Sequence, residues 1–135
     1  MRKLVRLVPA AAAVALLAGC GGGGGGGGDQ GQLGEQPGVK GTVVTIIEKD
    51  FTLTPGTITL PKPGKYTFKA VDEGAQTHNL EVEGNGVEAK GSNIGFGEKM
   101  SFDVTFKKAG KYEMYCPIDS HKDFGMDGTI TVAAG

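Results

Sequence analysis

Toward its C-terminal end the chain reads Tyr115-Cys116-Pro117-Ile118-Asp119-Ser120-His121-Lys122-Asp123-Phe124-Gly125-Met126, which sets Cys, His and Met at Cys-x4-His-x4-Met spacing. The chain has two histidines in all, and the other, His78, lies far upstream in Thr77-His78-Asn79-Leu80-Glu81-Val82. Thiolate, two imidazoles and a thioether form a soft, mixed donor set. Thiolate and thioether favour Cu(I), imidazole suits both copper states, and a trigonal His2Cys plane with a long axial Met suits one-electron exchange. The expectation is one copper ion, with Cys116, His78 and His121 equatorial and Met126 axial. Four protein donors leave no open position for a substrate, so the expected protein is not an enzyme.

Singly, each residue has a plainer reading. A lone His78 is a hydrogen-bonded core or turn histidine, a lone Met126 fills a gap in the core, and a lone Cys116 is an inert buried thiol. Their common spacing and strand context favour the site. Zinc fits less well, because structural zinc takes thiolate and imidazole without thioether. A Cys116 nucleophile with His78 or His121 as base leaves Met126 unexplained and has no evident oxyanion donor.

Such a site needs rigid elements. After Gly41 the chain alternates polar and apolar residues with period 2: Phe51 and Leu53, Ile58 and Leu60, Tyr66, Phe68 and Ala70, Phe102, Val104 and Phe106, Tyr112, Met114 and Cys116, Ile130 and Val132. Breakers such as Pro55-Gly56 and Pro61-Lys62-Pro63-Gly64 separate these runs. No segment after the N-terminal region keeps a 3.6-residue repeat, so the pattern indicates an all-β antiparallel sandwich or barrel. Cys116 then ends one strand, the 117–126 loop turns back, and His78 arrives from a separate strand on the same side as Leu80 and Val82. Met114 reads as core, Tyr115 as outward-facing. No internal repeat is visible.

Composition narrows the class. The 135 residues carry 14 Lys+Arg against 15 Asp+Glu, which leaves no basic stripe for nucleic acid. Arg2, Lys3 and Arg6 precede an apolar run from Leu7 to Ala18 that is short for a membrane span and contains Pro9. Its end, Leu17-Ala18-Gly19-Cys20, resembles the lipobox of bacterial lipoproteins, in which the signal is cut before a lipid-carrying Cys. Residues 1–19 are therefore expected to be a signal, residues 20–41 the lipidated Cys20 with a Gly-rich tether, and residues 42–135 the domain. A tether of this composition behaves as a coil about 24 Å in r.m.s. span. The protein is then expected outside the cytoplasm, anchored to the cell membrane and monomeric. With Cys20 lipidated and Cys116 a ligand, no disulfide is expected. Loss of the signal takes three of the fourteen basic residues and no acid, leaving 11 against 15 and no Arg.

Taken together, His78-Asn79, Tyr115-Cys116, His121, Met126 and the final Gly128-Thr129-Ile130-Thr131-Val132 resemble the cupredoxins of the plastocyanin/azurin type, over roughly Thr42 to Val132. The resemblance implies a Greek-key β-sandwich of about 7–8 strands and a type 1 (blue) copper carrying single electrons between redox proteins. It implies that Asn79 steadies the ligand loop and gives its backbone N–H to the Cys sulfur, and it leaves Tyr115 either plain surface or a second electron route. It also makes the His121 edge the electron port. Asp119, Asp123 and Asp127 against Lys122 give that loop an acidic rim, so a partner with a basic docking surface is expected. Copper storage or delivery, and a plain β-sandwich scaffold, remain open beside electron transfer.

Overall fold

The computed structural model describes residues 36–135, and among these it contains ten strands and no helix. They are β1 (Val39–Lys40), β2 (Val43–Lys49), β3 (Thr52–Thr54), β4 (Thr57–Leu60), β5 (Gly64–Asp72), β6 (Glu81–Gly84), β7 (Val87–Lys90), β8 (Lys99–Phe106), β9 (Gly110–Tyr115) and β10 (Asp127–Val132). One sheet runs β1-β2-β5-β8, with β3 also paired to β2, and the other runs β4-β10-β9-β6-β7. The all-β sandwich is as expected. The excess over seven or eight strands lies in short pieces such as β1 and β3, which periodicity over two or three residues cannot reveal.

The sheets are mixed, not purely antiparallel. β2 pairs parallel with β5, and β4 parallel with β10, while the other pairings are antiparallel. The chain leaves the first sheet after β3, forms β4 in the second, and returns as β5. A strand that re-enters its sheet by such a crossover arrives parallel to its neighbour. β1 also falls inside the stretch expected to be tether. Val39 pairs with Val44, and the Gln36 side chain accepts the Thr59 N–H at 3.1 Å, so residues 36–41 belong to the folded body. Residues 1–19, Cys20 and the glycine run lie outside the described residues.

The alternation places one face of each strand in the core. Val44 and Ile46, Ile58 and Leu60, Phe68 and Ala70, Val104 and Phe106, Met114, Ile130 and Val132 are buried. Full burial of a side chain of this size contributes about 1.5–3 kcal/mol. Aromatic rings meet at the centre: Phe106 lies 4.7 Å from Tyr112 and 5.9 Å from Tyr66, edge to face in both cases.

The two tyrosines expose a short repeat that the periodicity reading passes over. Lys62-Pro63-Gly64-Lys65-Tyr66 and Lys108-Ala109-Gly110-Lys111-Tyr112 share the pattern Lys-x-Gly-Lys-Tyr. Each opens a strand, β5 and β9 respectively. In each, the Tyr hydroxyl donates to the Lys carbonyl four residues back, at 2.8 Å and 2.7 Å. The glycines adopt φ 154° and 139°, a region that side-chain-bearing residues avoid.

Among the buried polar residues, two carboxylates stand in otherwise apolar inward rows. Glu48 and Asp72 end the inward rows of β2 and β5 with no exposed surface, and they stand opposite one another in the β2–β5 register.

Candidate metal centre

The centre is assembled at one end of the second sheet. β9 pairs with β6 and β10, which brings Tyr115 opposite both Glu81 and Asp127. Cys116 follows directly, and its N–H donates to the Met126 carbonyl at 3.0 Å, so the ladder closes the base of the 117–126 loop. Inside the loop the His121 N–H donates to Ile118 at 3.1 Å, and the Met126 N–H to the His121 carbonyl at 3.1 Å. Asp119 takes a left-handed φ of 44° between them, a conformation that Asp tolerates better than most residues. The loop is thus a set of tight turns that bends His121 back over the strand end.

His78 comes from the segment before β6, where it exchanges two backbone hydrogen bonds with Ile94, both 2.9 Å. Its Nδ1 lies 4.0 Å from Cys116 Sγ, and His121 Nδ1 lies 3.5 Å from the same sulfur. The two imidazoles sit edge to face at 5.1 Å. These three donor atoms all lie within 4.8 Å of one another, and the three residues are buried. Met126 is fully buried at the other end of the loop. All four residues expected from the sequence therefore lie on the 78 segment or the 116–126 loop, which the structure brings together. Cys116 is a free thiol.

The donor set fits a soft metal. Burial pushes the Cys116 thiol up, against the backbone N–H groups of Ile118 and Asn79, which are directed at the sulfur, while the charges of Glu48 and Asp72 push it further up. A thiol so placed stays protonated without a cation, and a bound metal must displace that proton. The Asn79 side chain makes its hydrogen bonds away from the 117–126 loop, with its Oδ1 accepting the Leu80 N–H at 2.8 Å. It donates to Asn93 at 2.8 Å and so fastens the segment before β8.

Three contributors carry no motif in the sequence. Asp50, just beyond β2, places Oδ1 at 2.8 Å from His78 Nε2. The same carboxylate accepts the Ala75 N–H at 2.8 Å and the Gln76 N–H at 3.1 Å. The Ala75 bond above all, with help from Gln76 and His78, outweighs partial burial and holds the carboxyl below the usual Asp range. An ionised Asp50 can only accept, so His78 must donate from Nε2 and keep Nδ1 free toward Cys116, the arrangement that orients metal-binding imidazoles. Gly74 makes room for the pair, since a Cβ there would press on both Asp50 Oδ1 and His78 Nε2. Finally, Phe51 packs edge-on to His121 at 4.9 Å and supports Phe124 at 5.1 Å. Phe124 is 65% exposed, so the rim beside His121 is aromatic as well as acidic.

Tyr115 is half-buried on the outer face, with Lys122 Nζ 4.1 Å from its ring centroid. Partial burial and then the charges of Glu81 and Glu83 push its phenol up to about 12.

Comparison with known proteins agrees with this geometry. Residues 33–132 match the family model of the cupredoxin-like domain. No curated protein matches in sequence. Among solved structures, the dithionite-reduced auracyanin of the photosynthetic bacterium Roseiflexus castenholzii aligns with TM-score 0.62 at 20% identity, covering 68% of this chain and 97% of that one. Auracyanin B aligns at 0.61 and 17% identity, covering 75% and 93%. Auracyanin A, a "blue" copper protein of the green thermophilic photosynthetic bacterium Chloroflexus aurantiacus, aligns at 0.59 and 15%, covering 67% and 98%.

The Asp50 contact makes a prediction for the metal-free protein. Long-range proton–nitrogen NMR is expected to find neutral His78 almost wholly as the Nε2–H tautomer, and Asp50→Ala to let the Nδ1–H form appear. A wild-type spectrum dominated by Nδ1–H would contradict the assignment.

Proposed function

The chain belongs to the cupredoxin-like family, and from that premise we propose that it is a type 1 copper protein that carries single electrons. Cys116, His78 and His121 would hold the copper, and Met126, buried at the end of the same loop, would add its thioether. One observation carries the reading: a buried thiol and two imidazole Nδ1 atoms, at 3.5 Å and 4.0 Å from the sulfur, converge within 4.8 Å of one another. Copper held there supplies the Cu(II)/Cu(I) couple.

The residues do the rest. Cys116 is fixed by the β9–β10 ladder, His78 by Asp50 and by Ile94, and His121 by the turns of its own loop. Donors held from three directions cannot follow a metal that prefers a new geometry, so little rearranges when an electron arrives. The surroundings exclude water, because Leu80, Ile94 and Met114 are buried around the same end. His121 is 7% exposed and packs edge-on to Phe51, which in turn meets Phe124. Its ring edge is the proposed electron port. The docking face is accordingly part aromatic and part acidic, and it suits a redox partner with basic residues around an apolar centre. Tyr115 joins Cys116 to the acidic outer face and is a candidate second route.

We also assign the protein to the outer side of a membrane, held by lipid on Cys20. The support is the basic start, the short apolar run 7–18 and the Leu17-Ala18-Gly19-Cys20 junction. Two or more acyl chains anchor stably, at about 0.8 kcal/mol per buried methylene.

Two measurements test these readings. Adding Cu(II) to the purified protein is expected to produce an intense visible thiolate-to-copper band that Cys116→Ser abolishes. A colourless complex, or copper that leaves at once on reduction, would point instead to storage or delivery. For the anchor, intact mass of membrane-extracted protein is expected to show a chain that starts at Cys20 and carries lipid; a mature chain with unmodified Cys20 contradicts it.

A further inference from the structure

Glu48 and Asp72 are the one pair of core-facing carboxylates in register among the described strands. Glu48 continues the inward row of Val44 and Ile46, and Asp72 that of Phe68 and Ala70. Asp72 Oδ1 accepts the Gly74 N–H at 2.8 Å, while Asp72 Oδ2 and both Glu48 oxygens are buried without a hydrogen-bond partner. Among the described residues no cation pairs with either of them. β3 presents Leu53 opposite Glu48. Glu73, just past β5, turns outward to Lys49 at 3.1 Å, and Glu98 bonds the Gly95 N–H. Asp50, two residues on, is taken up by His78, Ala75 and Gln76. The remaining titratable neighbour is Cys116, whose sulfur feels the charge of both carboxylates.

Two adjacent carboxylates in a dry core cannot both be ionised cheaply, since desolvation and mutual repulsion both favour a proton on one of them. Accordingly, burial and then the charge of Asp72 push Glu48 from 4.5 to about 8. This proton sits within electrostatic reach of the Cys116 sulfur proposed to hold copper. Asp72 is followed at once by exposed Glu73, and its Oδ1 is bonded to Gly74 of a turn whose Ala75, Gln76 and Thr77 are exposed, so the pair lies at the edge of the core next to solvent-facing chain.

We propose that the Glu48–Asp72 pair takes up one proton from solvent when the metal site gains its electron and returns it when the electron leaves, so that the protein moves a proton with an electron. The inference rests on the copper reading. The step balances: the redox partner supplies the electron, water supplies the proton, one O–H bond forms on Glu48, and the charge of the buried region is unchanged. Reduction removes one positive charge near the pair, which strengthens proton binding. By linkage the proton then favours reduction by the same factor. A reduced site of thiolate with Cu(I) has the same net charge as the metal-free thiol, so reduced-state binding follows the metal-free value of about 8. Oxidised-state binding lies lower, and the coupling therefore operates below about pH 8.

The metal-free protein tests the proton site alone. An acid whose folded pKa is raised binds more protons folded than unfolded, so its contribution to stability is full below the unfolded value. It is lost as pH rises from 4.5 to about 8 and is level above that. The unfolding constant is expected to rise by up to about tenfold per pH unit across this window, and Glu48→Gln to remove that rise. The infrared carbonyl band of a protonated carboxyl should be present at pH 7 and absent in Glu48→Gln. In the copper-loaded protein the Cu(II)/Cu(I) midpoint should fall with rising pH toward a limit of tenfold per unit, about 59 mV, and become flat in Glu48→Gln. Intact copper spectra with a flat wild-type midpoint overturn the coupling alone. A slope that survives in both Glu48→Gln and Asp72→Asn places the proton elsewhere and also overturns it. A protein with the metal-free titration but no copper binding overturns the copper reading, and the coupling with it.

Discussion

The register of β9 on its neighbours is the constraint from which the site follows. Tyr115 stands opposite Asp127 on one side and Glu81 on the other. That fixes Cys116 beside the start of β10 and three residues' reach from His78, before any metal is considered. The Cys116 N–H bond to the Met126 carbonyl then makes the eleven-residue span from Cys116 to Met126 a closed loop, and the turns within it leave His121 one place to go. Slipping β9 by one residue would turn Cys116 to the opposite face and disperse all three donors. The donor atoms are therefore held by the same backbone ladder that holds the sandwich together.

Around the sulfur the electrostatics are arranged in opposition. Backbone N–H groups of Asn79 and Ile118 favour a thiolate, whereas burial and the Glu48 and Asp72 charges oppose it. Asp50 adds a third carboxylate behind His78, but one that is satisfied by two backbone donors and the imidazole. The satisfied and unsatisfied carboxylates are two residues apart on one stretch of chain, and they have different consequences. Asp50 orients a ligand and stays ionised; Glu48, lacking any donor, is held neutral by its surroundings.

The sequence makes part of this legible. Cys116, His121 and Met126 stand out because a short loop carries all three, and His78 because it is the sole remaining histidine. The core rows can be read from period-2 alternation, which survives in nearly every strand. Glu48 was readable by the same parity, since it falls in step with Val44 and Ile46, but a charged residue at a strand end suggests solvent unless its partner is known. Asp50 and Gly74 were beyond reach: their roles exist only where the end of β2 meets the turn after β5, 24 residues apart, and neither belongs to a motif. The parallel pairings were hidden for a related reason, because alternation shows which face a residue takes and not which strand lies beside it. Phe51 and Phe124 corrected the picture of a purely acidic rim, since their apposition across 73 residues is tertiary.

The proposed site stands or falls on one thiolate and two imidazoles binding a single copper in this pocket. Copper K-edge X-ray absorption of the loaded protein addresses it directly. One short sulfur neighbour and two imidazole nitrogens per copper are expected, with the sulfur contribution lost in Cys116→Ser. A shell of nitrogen and oxygen alone, unchanged by that substitution, would contradict it.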